Sequence, residues 1–140
     1  MITYKSCIPV SDAKNETNDC TVKAVAIACD IPYQKAHGLM KIAGREARKG
    51  TFPVMYHAVI RSLGFEIKRL TTPAKTVASL AQYCDPKKRY MCQVRGHVLA
   101  VVNGKVEDWS EGRRFGIKQV WEIVPTVSKN AIRKAKRYPK

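Results

Sequence analysis

Three side chains define the chemistry this sequence offers: the thiol of Cys20, the imidazole of His97 and the carboxylate of Asp108. A thiol attacks as its thiolate, an imidazole takes and returns protons near neutrality, and a carboxylate beside the ring fixes its tautomer and stabilises its charged form. Such a set attacks a carbonyl and passes through a thioester acyl-enzyme. Five cysteines stand at 7, 20, 29, 84 and 92, and Cys20 differs from the rest by its setting. It follows the N-cap candidates Thr17, Asn18 and Asp19 and opens a run with Val22, Val25, Ala26 and Cys29 at helical spacing. A thiol there faces unpaired N–H groups and the positive end of the helix dipole, both of which favour thiolate. Cys29 falls on the apolar stripe of that helix, Cys84 ends a later helix and Cys92 lies inside a strand, so these and Cys7 read as packing residues.

His97 and Asp108 are joined by a turn. Asn103-Gly104, flanked by Val102 and Lys105, carries two residues that tolerate the positive φ of a type I′ hairpin. A two-residue loop pairs Val102 with Lys105, Val101 with Val106, Leu99 with Asp108 and His97 with Ser110. His97 and Asp108 then become diagonal neighbours on one face, about 7–8 Å apart at the backbone, a gap that two polar side chains can close.

The remaining elements must support that pair and the helix of Cys20. Ala36, Leu39, Met40 and Ala43 make one stripe of a helix over Tyr33 to Ala43, stopped by Gly44. Met55, Tyr56, Val59, Ile60 and Leu63 mark a third helix ending at Gly64, and Phe65, Ile67 and Leu70 alternate as a strand. Thr72-Pro73 resembles the start of a fourth helix, which continues through Val77, Leu80, Ala81 and Cys84 to Asp85-Pro86. Arg89 to Arg95, His97 to Val102, Lys105 to Trp109 and Gln119 to Val124 read as strands. The fold class is α+β, with helices first and an antiparallel sheet after them. His37 and His57 lie off the apolar stripes of their helices and are expected in solvent.

One hundred and forty residues with 45% hydrophobic content suit one folded domain, expected over 1–125, followed by a basic tail over 126–140. The longest apolar run, Val98 to Val102, is far too short to cross a membrane, and the first residues lack the pattern of a secretory signal. An odd cysteine count without Cys-x-x-Cys spacing suggests reduced thiols in the cytoplasm. Without a Gly-rich phosphate loop, a paired-carboxylate motif or a metal-ligand cluster, neither a cofactor nor a metal is expected. The net charge is +15, of which six positive charges lie in the tail, leaving +9 on the body. Lys35, Lys41, Arg45, Arg48 and Lys49 form one basic stretch, Lys87-Lys88-Arg89 a second and Arg113-Arg114 a third. With Tyr90, Phe115 and Tyr138 nearby, these stretches suit an acidic protein partner or a phosphate backbone, but no zinc-finger or RNA-recognition signature accompanies them.

Asn18-Asp19-Cys20-Thr21-Val22-Lys23-Ala24-Val25, then Gly96-His97-Val98-Leu99-Ala100-Val101 and Val106-Glu107-Asp108-Trp109, resemble papain-like cysteine peptidases. The likeness is to the small C39-like branch found in many bacteriophage and bacterial proteins, and Gly44-Arg45 and Gly50-Thr51 are also similar to it. The resemblance implies N-terminal helices packed on a C-terminal antiparallel sheet, with Cys20 as nucleophile, His97 as general base and then acid, and Asp108 orienting His97. Two positions depart from the family pattern. Lys14 stands where papain-like enzymes place an oxyanion-binding Gln, leaving Asn18 and Asn15 as alternative donors, and Thr21 stands where the branch commonly has Gly. Asn18 serves equally well as a helix N-cap. The expected activity is cleavage of a peptide, isopeptide or amide bond in a protein or peptide substrate, with deamidation and acyl transfer open to the same chemistry. The rival function is a non-catalytic basic module on the same scaffold, binding nucleic acid or an acidic protein.

Overall fold

The computed structural model describes residues 1–126, so the expected basic tail lies, apart from Thr126, outside the described residues. Four helices come first: α1 (Tyr4–Ala13), α2 (Cys20–Cys29), α3 (Tyr33–Ile42) and α4 (Pro53–Ser62). Strand β1 (Phe65–Leu70) precedes a short α5 (Val77–Leu80) that runs on as a 3-10 turn over Ala81–Tyr83. Then follow β2 (Arg89–Val94), β3 (His97–Val102), β4 (Lys105–Glu107) and β5 (Ile117–Pro125). The sheet order is β1-β5-β2-β3-β4 and each pairing is antiparallel, so the chain is α+β.

The sheet is covered on both faces. Met91, Val98, Ala100 and Trp121 pack with α2, α3 and α4, whereas Cys92, Leu99, Val101 and Val120 pack with Ala74, Val77 and Leu80. Two-sided burial is why β2 and β3 are almost continuous apolar runs rather than alternating ones. Helix α2 is buried from Thr21 to Cys29 except at Lys23, and its Ala24, Ala26 and Ala28 let neighbouring backbones come close. Among the described residues no helix is long and apolar enough to cross a membrane.

The structure corrects several expectations and adds one helix. Helix α1 is an addition to the expected elements and contains Pro9; it is started by a reciprocal cap in which Thr3 Oγ1 accepts from Ser6 N and Ser6 Oγ accepts from Thr3 N. The fourth helix starts after Thr76 rather than at Thr72, because a bridge between Thr76 and Gly116 and the bond from Ile117 N to the Lys75 carbonyl hold the preceding residues extended. The two histidines expected in solvent are half-buried. His37 Nε2 lies 2.6 Å from Glu16, and the His57 ring packs edge-on against Tyr56 and Trp121.

Arg45, expected on a basic surface, is instead buried in a clamp on the segment leading into α2. Its two terminal nitrogens reach Glu16 at 2.7 and 3.0 Å, its Nε donates to the Lys49 carbonyl, and the Arg48 N–H donates to Glu16 at 2.8 Å. The bidentate geometry fixes residues 45–49 against residues 16–18. The Arg45 hydrogen bond, working against burial, holds the Glu16 carboxyl down at about 2. Because that value lies below the ordinary 4.5, the stabilisation is complete above pH 4.5 and is lost as pH falls toward 2. Arg45→Ala is expected to cost about 3–5 kcal/mol in urea unfolding, since it strands a buried carboxylate. Glu16→Gln should lessen the loss of stability that the unaltered protein shows over that acid range, as followed by circular dichroism.

Candidate active site

Cys20 is the first residue of α2, and what positions it is the buried Asp19 before it. The Asp19 carbonyl accepts from Lys23 N at 3.0 Å, opening the helix, while its carboxylate makes no capping bond. Asp19 Oδ2 instead accepts from Ser11 Oγ of α1 and Tyr33 Oη of α3, both at 2.7 Å, and Oδ1 pairs with Lys23 at 3.3 Å. Three helices therefore meet on one carboxylate at the point where the thiol begins. N-cap position belongs to Asp19, not to Asn18.

His97 begins β3 directly after the two-residue turn Arg95-Gly96, which the Val94–His97 pair closes and in which Gly96 takes a φ of +67°. The Asn103-Gly104 hairpin forms with both residues at positive φ and pairs Val102 with Lys105 and Val101 with Val106. The ladder stops at Ala100–Glu107, so the expected Leu99–Asp108 and His97–Ser110 pairs are absent. Asp108 turns out of the strand and its Oδ2 accepts from His97 Nε2 at 2.7 Å, from Ser110 N at 3.0 Å and from Ser110 Oγ. Ser110 is fully buried, and the Trp109 ring lies 5.0 Å from the imidazole, so the ion pair is held from one side and shielded from the other. With Nε2 committed to Asp108, Nδ1 is the nitrogen left for the thiol.

Cys20, His97 and Asp108 line one cleft of about 430 Å³ between the start of α2, the β2–β3 turn and the loop after β4. Burial raises the Cys20 pKa, but hydrogen bonding from His97 and from the Val98 N–H outweighs it and leaves the thiol below its ordinary value. Burial also opposes charge on His97, yet the bonds to Asp108 and Cys20 push the ring up to about 9. The other thiols behave oppositely. Burial alone or in the main lifts Cys7 and Cys84 to about 11 and Cys29 and Cys92 to about 12. The arrangement favours thiolate on Cys20 and imidazolium on His97, the charge states suited to nucleophilic attack and proton return.

The predicted oxyanion donors fare differently. Asn18 lines the cleft, with a φ of +52° and its Nδ2 donating to the Arg48 carbonyl at 3.2 Å. Asn15 does not line it: at φ +53° it terminates α1, its N–H bonded to the Asp12 carbonyl. Of the predicted basic partner-binding residues, Lys87, Lys88, Arg113 and Arg114 are exposed, with Lys88 3.5 Å from Glu122. Arg89 is turned inward, donating to the Ile27 carbonyl at the end of α2 at 2.8 Å, so it is a helix-terminating residue. None of these five lines the cleft, where the lysine and arginine among the described residues are Lys23 and Arg95. Tyr4, Arg95 and Ser110 were missed in sequence. Pointers existed to Arg95 in the two-residue turn before His97 and to Ser110 in its place two residues after Asp108, whereas Tyr4 reaches the site only through tertiary folding.

Among the described residues no group of three or more His, Cys, Asp or Glu side chains gathers as a metal site. The chain matches no family model, no curated protein and no solved structure.

His97 should titrate by NMR with a midpoint of about 9 rather than the ordinary 6.5, remaining protonated at pH 7. Its contribution to stability is then complete below pH 6.5 and lost as pH rises through about 9. Asp108→Asn should bring the midpoint back toward 6.5; an unchanged midpoint would remove Asp108 as the cause.

Proposed function

We propose that this chain is a papain-like cysteine hydrolase that cleaves a peptide, isopeptide or amide bond in a protein or peptide substrate through a thioester on Cys20. The observation that carries the reading is the line of three groups in one cleft, Cys20 beside His97 and His97 on Asp108, with one thiol of five held below its ordinary pKa. In the first half-reaction the Cys20 thiolate attacks the carbonyl carbon, the C=O electrons move to oxygen, and the imidazolium of His97 protonates the leaving amine as the C–N bond breaks. In the second, neutral His97 takes a proton from water, the hydroxide attacks the thioester, and the acid departs as the thiolate–imidazolium pair is restored. The Cys20 N–H, at the first helical position where it has no intrahelical acceptor, donates to the oxyanion. Asn18 is the second donor, through the amide hydrogen not directed at Arg48. Asp108 keeps the ring oriented through both steps, as Ser110 keeps Asp108.

The five free thiols suit a reducing cytoplasm. An activated aryl ester of an N-acetyl amino acid should give a stoichiometric burst of phenolate and an acyl adduct that mass spectrometry assigns to Cys20. Cys20→Ala should abolish both, and His97→Ala should slow acylation by about 10²–10⁴-fold. An adduct spread over several cysteines, or a burst indifferent to His97, would contradict the reading.

A further inference from the structure

The cleft wall holds more than the triad. Trp109 and Phe115 stand 50% and 40% exposed with their rings 5.7 Å apart, and the loop that carries them is pinned where the Val77 N–H bonds the Phe115 carbonyl and the Ala78 N–H bonds the Arg113 carbonyl at 2.8 Å. Two large apolar rings held open on a fixed loop form a surface for an apolar or aromatic side chain. Three groups lining the cleft carry positive charge. Lys23 is paired with Asp19 at 3.3 Å and His97 with Asp108 at 2.7 Å, so both are neutralised locally. Arg95 has no acidic or side-chain hydrogen-bond partner among the described residues, and both acids lining the cleft, Asp19 and Asp108, are already bound. A guanidinium in that state presents a planar fork for a carboxylate, two residues from the ring that performs the chemistry.

Resting on the hydrolase reading, we infer that Arg95 is a specificity-determining residue and that the cleft takes a peptide in which an acidic side chain accompanies an aromatic one. The carboxylate docks on Arg95, and the aromatic ring packs on Trp109 and Phe115. A nucleic acid, which also combines negative charge with flat rings, fits less well: among the described residues the cleft offers one unpaired cation, too few to follow a phosphate backbone.

The test is covalent labelling of the full-length chain by N-acetyl-dipeptidyl vinyl sulfones, each rate divided by the same variant's rate with iodoacetamide. The phenylalanyl-glutamate probe should outpace its glutamine counterpart by about tenfold, the scale of a charge-assisted hydrogen bond. Arg95→Gln should erase that preference and Arg95→Glu should reverse it toward a lysine probe, while Trp109→Ala should remove the advantage of phenylalanine over alanine. As competitors, N-acetyl-phenylalanyl-glutamate amide should protect Cys20 and N-acetyl-phenylalanyl-glutamine with a free carboxyl terminus should not. Equal glutamate and glutamine rates, a preference that survives Arg95→Gln, protection by the terminal carboxylate alone, or stronger protection by a single-stranded oligonucleotide would each overturn the inference while Cys20 still labels first with iodoacetamide. If iodoacetamide itself does not single out Cys20, the hydrolase reading fails and the inference falls with it.

Discussion

One oxygen atom, Asp108 Oδ2, sets the requirement that the rest of the cleft meets. It accepts from the His97 ring and twice from Ser110, and it is nearly removed from water. A carboxylate in that position is stable only if its acceptor capacity is filled, which is why the chain turns back immediately after Asp108 to bring the Ser110 N–H and hydroxyl onto the same oxygen. Once filled, it holds Nε2 and thereby dedicates Nδ1 to the thiol. The charge state of the whole cleft follows, since the imidazolium is what keeps the Cys20 thiol below its ordinary value.

The same device recurs around the nucleophile. Eleven acidic residues stand against twenty-six basic ones, and three of the eleven have nearly buried side chains next to Cys20 or its supports. Glu16 clamps residues 45–49 through Arg45, Asp19 gathers α1 and α3 at the start of α2, and Asp108 orients His97. Each is satisfied by hydrogen bonds from different elements, so each converts burial cost into a fixed geometry. Cations remain in excess over the outer surface, where they repel one another. Arg89 and Arg45 show that the formal charge overstates what is available to partners, because their guanidinium groups are engaged within the fold.

The parts of this architecture legible in sequence are those governed by local rules. The bounds of α2 and β3 and the Asn103-Gly104 turn follow from periodicity and φ preference over a few residues, and these alone bring Cys20, His97 and Asp108 into prospect. What escaped depends on distant partners. Ser11 and Tyr33 meet only on Asp19, Arg45 looks like surface charge until Glu16 is folded against it, and Asn15, an asparagine near the nucleophile in sequence, is diverted by the left-handed turn that ends α1. Helix α1, which contains Pro9, had a local capping signal in Thr3 and Ser6. Asp108 was reached by strand counting, yet the ladder ends one residue before it and the contact with His97 is made by a turn.

The central claim, a Cys20 thiolate maintained by His97 and Asp108, is tested most directly by the far-ultraviolet thiolate absorbance followed across pH in the unaltered chain and in Cys20→Ser. Four thiols are raised to about 11 or 12, so they stay silent through neutrality and leave the window to Cys20. The account predicts thiolate absorbance that emerges below the ordinary thiol value of 9.0, is absent from Cys20→Ser and moves upward in His97→Ala. Absorbance that emerges only at or above the ordinary thiol value of 9.0, equally in all three proteins, would contradict it.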